Sequence, residues 1–208
     1  HRVSVCAIVV LCVGLIAPQD AAAETCRPYR IPGGEAIYWT VDSVTLAIDS
    51  DLPEDLDKEE MLAAVMMSVE PWAELPCVTM DLEFRDDGDG FSECPGEAMD
   101  DDLQCIYWVL PDEEWNFGSG LIAVTLVHHN ALTGEIVDTD MAINGTGTFS
   151  WSAPPICDTD TSDHDLIATL THEFGHFFGL DHSSAPQSVM EAATGPGDFS
   201  VFLSADGK

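Results

Sequence analysis

Four segments of the chain have the pattern of apolar and polar residues expected of β-strands. Apolar and polar residues alternate over residues 41–48 and again over residues 78–84, which predicts two half-buried strands. Residues 118–127 and 136–143 predict two more, joined by a turn at Leu132-Thr133-Gly134. We therefore expect β-strands to form a large part of the fold.

Two other segments have the spacing of amphipathic helices. The first covers residues 57–70, where either Asp55 or Asp57 caps the start and Pro71 is expected to end or kink the helix. Its apolar side chains recur at Met61, Leu62, Val65 and Val69.

The second predicted helix covers residues 163–178. Ser162 and Asp165 form a capping-box-like pair at its start, and leucine and isoleucine residues supply a core-facing side. Helices and strands mixed in this order predict an α+β or α/β domain.

The first 23 residues have the composition of a secretory signal peptide. Arg2 precedes an apolar run over residues 3–17, and Pro18 and a run of three alanines follow it, so that cleavage is expected after Ala23. The competing interpretation is a membrane anchor, but the run falls short of the roughly 20 residues that a spanning helix needs. We therefore expect residues 1–23 to be removed and residues 24–208 to form a single domain.

Composition and charge then limit the partners of this domain. The 208-residue chain has 38 acidic residues against 6 basic ones, a net charge of −32, and is 46% hydrophobic, which argues against disorder. The signal segment carries one arginine and one aspartate, so its removal leaves the charge unchanged. Nucleic acids and anionic membranes are unsuitable partners, because phosphate binding needs Lys and Arg. With the signal peptide, these features lead us to expect a monomer that is secreted and extracellular.

Residues 81–102 are the most acidic stretch, with ten carboxylates and a single opposing arginine. One interpretation is a calcium (Ca²⁺) site, because carboxylate oxygens are calcium ligands. The other is a solvated acidic loop, and the spacing does not match an EF-hand. The candidate ligands are Asp86, Asp87, Asp89, Glu93, Asp100, Asp101 and Asp102.

Five cysteines remain after removal of residues 1–23: Cys26, Cys77, Cys94, Cys105 and Cys157. In an exported protein they predict up to two disulfides and one odd thiol. Cys94 and Cys105 flank one acidic loop and are the first expected pair, and the remaining connectivity stays open.

The chemistry is concentrated in the sequence from His172 to His182, which reads HEFGHFFGLDH. His172 and His176 are four residues apart, so on a helix they share one face and can hold one metal ion. Gly179 can adopt a left-handed conformation that stops the helix and lets His182 return as a third ligand.

Three neutral imidazoles with a fourth position open to water are typical of a catalytic zinc site. Zinc (Zn²⁺) lowers the pKa of its bound water to about 7. The carboxylate of Glu173 lies beside the ligand face and can take a proton from that water. A structural role for the histidine pair is the alternative, and the longer motif with its third histidine disfavours it.

This motif resembles the signature of the metzincin zinc endopeptidases, in which HExxHxxGxxH is followed by a methionine turn. Met190 lies eight residues after His182, and Ser183 resembles the matrixin branch of that group. Residues 134–144 are similar to a strand of secreted bacterial matrixins, and this resemblance implies a bacterial rather than an animal origin. The resemblance covers most of residues 37–190, with specific motifs only from His172 onward.

The resemblance implies an α+β fold of the metzincin (zincin-like) type. Such a domain has a twisted, mostly parallel sheet with an antiparallel edge strand, an upstream helix and a zinc-binding active-site helix. It further implies one catalytic zinc bound by His172, His176 and His182, with Met190 as an apolar floor beneath it. Glu173 is then the general base, which later returns the proton to the leaving amine.

An extended protein or peptide substrate is expected to add as a strand to the upper edge strand of the sheet. The resemblance places this strand at Leu121, Ile122, Ala123, Val124 and Thr125.

The chain departs from the matrixin pattern at several positions. Glu191-Ala192 replaces the usual Tyr-Pro after the methionine, and an acid there would favour a basic substrate side chain. The histidines of an animal-type structural zinc site have no counterpart. Outside the motif, the chain after residue 23 has three histidines, which we interpret as ordinary polar residues: His128, His129 and His164.

Both ends of the domain also depart from the pattern. Cys26 is either a vestigial zinc-blocking thiol or, in the favoured interpretation, a disulfide cysteine. Residues 203–206 resemble the start of the family's C-terminal helix, which would then be truncated.

The sequence therefore predicts a secreted zinc-dependent endopeptidase that hydrolyses peptide bonds in extended protein segments. Two alternatives stay open. One is a non-catalytic acidic module that binds calcium or mediates adhesion and has a structural zinc site. The other is a protease restricted to itself or to a narrow target.

Overall fold

A computed structural model of the chain describes residues 28–73, 75, 78–94, 103–153, 163–183 and 188–192. Several sequence expectations lie outside these residues: the signal peptide, the C-terminal segment 203–206, three of the cysteines (Cys26, Cys77 and Cys157), Ser162 and the acidic run Asp100-Asp101-Asp102. No helix in the described ranges has the length and hydropathy needed to cross a bilayer.

The centre of the described structure is a five-stranded sheet with the order β2-β1-β3-β5-β4. Four strands run parallel to their neighbours, and β4 pairs antiparallel with β5 at the end of the sheet. The strands are β1 (Ser43–Ile48), β2 (Asp81–Phe84), β3 (Gln104–Val109), β4 (Ala123–His129) and β5 (Ile136–Asn144). The expected α+β fold, a mostly parallel sheet with an antiparallel edge strand, is confirmed.

Strand β3 is absent from the sequence prediction, although it lies in the middle of the sheet. Its residues are almost all buried, so it lacks the alternation that marks a half-exposed strand. Cys105 within β3 forms a disulfide with Cys94, as the sequence led us to expect. That bond ties Cys94, which lies within the acidic stretch, to the central strand.

The bounds of the predicted strands differ from the observed ones at the ends. Strand β2 has four residues, because residues 78–80 precede it without pairing. Strand β4 begins at Ala123 and extends to His129, so Leu121 and Ile122 lie just before it.

Helix α1 (Lys58–Ala73) begins at a reciprocal capping box. The Glu60 N–H donates to Asp57 Oδ1 at 2.9 Å, and the Asp57 N–H donates to Glu60 Oε2 at 3.0 Å. The helix continues to Ala73, so of the two predicted effects of Pro71 the end of the helix is excluded. Trp72 is fully buried and its Nε1 donates to the Thr171 carbonyl at 2.9 Å, so tertiary contact holds the last residues of the helix.

Helix α2 (Leu166–Phe177) packs beside α1 and against the sheet. A short parallel pair, β6 (Trp151–Ser152) and β7 (His164–Asp165), leads directly into α2. The core lies between the helices and one face of the sheet, and its fully buried side chains include Leu46, Ile106, Met141, Leu170 and Phe174. One side of α2 is thus fixed in the core.

Candidate active site

Helix α2 carries the motif histidines, and both its ends are defined by side-chain or backbone capping. Asp165 is the N-cap residue of the helix, and its Oδ1 accepts a hydrogen bond from the Ala168 N–H at 3.0 Å. The sequence analysis had instead placed Asp165 inside the helix, as the second residue of a capping box. At the other end Gly179 has a φ of 87°, and its N–H donates to the His176 carbonyl at 2.8 Å. The chain therefore turns sharply after the helix and brings His182 back toward it.

The three motif histidines converge. His176 Nε2 lies 3.1 Å from His172 Nε2 and 3.2 Å from His182 Nε2. The ligand atoms of all three lie within 4.8 Å of one another. Tetrahedral zinc with Zn–N bonds of about 2.05 Å separates its ligand nitrogens by about 3.3 Å. The observed spacing therefore fits a single zinc ion.

Backbone carbonyls set the protonation of the two helical histidines. His172 Nδ1 lies 2.7 Å from the Val189 carbonyl, and His176 Nδ1 lies 2.8 Å from the Leu180 carbonyl. Because a carbonyl oxygen can only accept, each Nδ1 carries the hydrogen and each Nε2 presents a lone pair. Two lone pairs that face each other at 3.1 Å are stabilised by a cation between them.

Burial favours the neutral, metal-binding form of these imidazoles. It lowers the pKa of His172 to about 4, opposed by the hydrogen bond to Val189. Burial also lowers the pKa of His176, against the opposing charge of Glu173. The histidines are therefore ready to bind a metal at neutral pH.

Glu173 points to the side of α2 that faces strand β4. It is 5% exposed, and burial raises the pKa of its carboxyl group, opposed by the charge of His176 and the hydrogen bond from Thr125. The Thr125 hydroxyl donates to Glu173 Oε2 at 2.6 Å. A buried carboxylate of raised pKa beside the three histidines is suited to proton transfer.

Met190 lies beneath helix α2. It is 2% exposed, and its carbonyl accepts from the Ser183 N–H at 2.7 Å. A Cβ atom at Gly175 would come within 2.1 Å of Met190 Sδ, so only glycine leaves room for this sulfur. The sequence analysis did not single out Gly175. Glycine within a helix lowers stability by about 1 kcal/mol relative to alanine, so its presence there indicates close packing.

Comparison with known proteins bears directly on this arrangement. The matrixin family model matches residues 98–206, more than half of the chain. The chain belongs to the matrixin family. It is also similar to matrix metalloproteinase-25 of Mus musculus, with 59% identity over 32 residues. That match covers 15% of this chain and 5% of the length of the mouse protein.

Membership of the matrixin family suggests zinc metallopeptidase chemistry for this chain. A cleft of about 530 Å³ runs along its histidine group. All the residues expected at the substrate strand line this cleft: Leu121, Ile122, Ala123, Val124 and Thr125. The structure thus brings the expected strand, the carboxylate of Glu173 and the metal-ligand candidates together.

Two acidic side chains besides Glu173 line the matrixin cleft. Asp181 and Glu191 line it together with Ala192, and none of the described lining residues is Lys or Arg. Glu191 is exposed and its backbone pairs with Ser183, so it is held next to the motif.

The acidic stretch forms no second metal centre among the described residues, where the histidine triad is the only converging group of candidate ligands. Asp86 Oδ1 accepts from the N–H groups of Gly88 and Gly90, each at 2.7 Å. Asp89 pairs with Lys58, and Asp87 Oδ2 accepts from Ser92 Oγ at 2.6 Å. Calcium binding by this matrixin remains a prediction.

The three histidines outside the motif that the structure describes do not join the triad. His129 lines the cleft, and His128 precedes it on β4. His164 is 7% exposed and packs edge-on against Phe149, with 5.2 Å between ring centroids. His164 is therefore a core residue of the fold.

Proposed function

We propose that this matrixin is a secreted zinc endopeptidase that hydrolyses peptide bonds within extended protein segments. The observation that carries the proposal is the convergence of the three Nε2 atoms beside the buried carboxylate of Glu173. His172, His176 and His182 would hold the zinc ion.

Bound zinc supplies Lewis acidity, which lowers the pKa of a water molecule to about 7 and polarises a carbonyl group. Glu173 then acts as the general base: it accepts a proton from the attacking water and later delivers it to the leaving amine. The burial that raises its pKa favours this exchange, because a carboxylate of ordinary pKa is a weaker base.

The substrate is an extended peptide that pairs with the free edge of β4. This strand ends the sheet order, and its residues line the cleft next to Glu173. Unpaired N–H and carbonyl groups on such an edge bind a peptide strand by backbone hydrogen bonds. Residues 121–125 would therefore position the scissile bond over the histidines.

A purely structural zinc site is disfavoured by the surroundings of the triad. Such a site is closed by four protein ligands, whereas here three histidines open into a cleft that can admit a peptide. A buried glutamate beside the ligands has no function in a structural site.

The test uses the purified chain and an unfolded protein substrate. We expect cleavage that stops with a zinc chelator and returns with zinc, together with one bound zinc per chain. Glu173→Gln keeps the shape of the side chain but removes the base, so it should retain zinc and lose about 10²- to 10⁴-fold in kcat.

Unchanged cleavage by Glu173→Gln would reject the assigned base. A zinc-loaded wild-type protein that cleaves nothing would instead support a non-catalytic module. Thr45→Val, on strand β1 and remote from the cleft, is the control for general effects of substitution.

A further inference from the structure

The side chain of Thr125 contacts the proposed base directly. Thr125 Oγ1 lies 2.6 Å from Glu173 Oε2 and 3.1 Å from the Glu173 backbone carbonyl. The first distance is that of a short O–H···O hydrogen bond to a carboxylate, and the second is longer. The hydroxyl has a single hydrogen, and it therefore donates mainly to Oε2.

The donor is much more rigid than the acceptor. Thr125 lies within β4, directly opposite Met141 of β5, so sheet hydrogen bonds fix its backbone. Its β-branched side chain has a restricted χ1 angle. Glu173 has three side-chain torsions, which would sample several rotamers without a partner.

The hydrogen bond leaves one carboxylate oxygen available. The hydroxyl bond is made to Oε2 alone, and the backbone N–H of Thr125, which every substitution at this position except proline keeps, also acts on the carboxylate and lowers its pKa. With Oε2 held by the hydroxyl, Oε1 is the oxygen that can receive a proton.

We propose that Thr125 is a positioning residue that holds the Glu173 carboxylate through Oε2, so that Oε1 takes the proton from the attacking water. This inference rests on the proposed function, because it assigns a role in the same site. The edge strand then has two tasks: its backbone binds the peptide and this one side chain orients the base.

This arrangement predicts which kinetic constant depends on the hydroxyl. The backbone of Thr125 contacts substrate whatever the side chain, so binding should not depend on Oγ1. A misplaced base slows the chemical step, and a displacement of about 1 Å can cost about 10²-fold. The effect of losing the hydroxyl should therefore fall on kcat.

Two substitutions separate the hydroxyl from the shape of the residue. Thr125→Val keeps the branching and volume but cannot donate, and Thr125→Ser keeps the donor. For Thr125→Val we expect kcat to fall about 10- to 100-fold with KM changed less than about twofold, at unchanged zinc content. Thr125→Ser should stay within about threefold of wild type in both constants. Thr45→Val serves as the hydroxyl-loss control on a remote strand.

A rise in KM at unchanged kcat, or an equal loss in Thr125→Ser and Thr125→Val, would overturn the proposal, because either would show that only the strand's shape matters.

Crystal structures of the zinc-loaded proteins give a readout without turnover. We expect one Glu173 conformer in wild type and in Thr125→Ser, and a shifted or divided carboxylate in Thr125→Val. An identical carboxylate in all three would reject the inference. If zinc-loaded wild type cleaves nothing, the proposed function fails, while these structures still decide the role of Thr125.

Discussion

At the scale of single residues, the histidines of the site are oriented by backbone rather than by other side chains. The carbonyls that hold Nδ1 of His172 and His176 belong to Val189 and Leu180, both C-terminal to the helix. A substitution at Val189 would leave its carbonyl in place. The geometry of these two ligands therefore depends on the backbone positions of Leu180 and Val189, and not on which side chains those residues carry.

His164 makes the stability of the fold depend on pH. Burial lowers its pKa below the usual 6.5, and the charge of Asp163 opposes this only in part. In the unfolded chain the same imidazole titrates at its ordinary pKa. The unfolded state thus binds a proton in a pH range where the folded state does not, and stability falls as the pH drops below about 6.5.

We therefore expect His164→Phe to flatten part of this dependence. Phenylalanine keeps the edge-on packing against Phe149 and has no titrating group. Urea unfolding of the chelated protein between pH 7.5 and pH 5, as approximate limits, measures it. The unfolding free energy of wild type should decline more steeply toward low pH than that of the variant. Parallel curves would show that burial does not control this imidazole.

At the scale of elements, the sequence predicts best what is local and periodic. Helix α2 was predicted within three residues at its start and one at its end, because its apolar period and glycine stop are strong local signals. Strand β3 was missed because burial on both faces removes the alternation. Helix α1 passes Pro71 because Trp72 is anchored to α2. The contact of Thr125 with Glu173 depends on the position of β4 relative to α2, and a local sequence pattern cannot predict that position.

The packing of α2 on the methionine turn predicts the effect of Gly175→Ala. Alanine in a helix interior should gain about 1 kcal/mol of stability over glycine. Here its Cβ would overlap Met190 Sδ at 2.1 Å and approach Trp72 Cζ2 at 3.1 Å. Overpacking of this kind costs about 1 to 3 kcal/mol or more, so we expect a net loss of stability in chemical denaturation.

A double-mutant cycle identifies the atom responsible. If Met190 causes the loss, Gly175→Ala should cost less, or even stabilise, in a Met190→Ala background. An equal cost in both backgrounds would assign the strain to Trp72 instead. Loss of zinc at unchanged stability would show that the turn positions the ligands without supporting the helix.

At the scale of the whole molecule, the chain has a net charge of −32, and no Lys or Arg is among the described residues that line the cleft. The described part of the chain holds three basic side chains, and each has a partner away from the histidines. Lys58 pairs with Asp89, Arg85 lies 3.8 Å from Asp87, and Arg30 donates to the Gly34 carbonyl at 2.5 Å. Negative potential should therefore extend from the surface into the cleft, where Asp181 and Glu191 add to it.

This field predicts a preference for cationic substrates that depends on salt. Charges of one sign that line a cleft raise the local concentration of oppositely charged ligands, and the effect weakens as the Debye length shrinks from about 10 Å at 0.1 M salt to about 3 Å at 1 M. We expect peptides flanked by lysine to be cleaved with kcat/KM about tenfold or more above glutamate-flanked peptides of otherwise equal sequence at low salt. The two values should converge at high salt, with glutamine-flanked peptides as the neutral reference.

Glu191→Gln should reduce the difference at low salt if the exposed carboxylate contributes to it. A preference that persists at high salt would instead point to a specific contact in the cleft, and no preference at low salt would show that the surface charge does not reach the substrate.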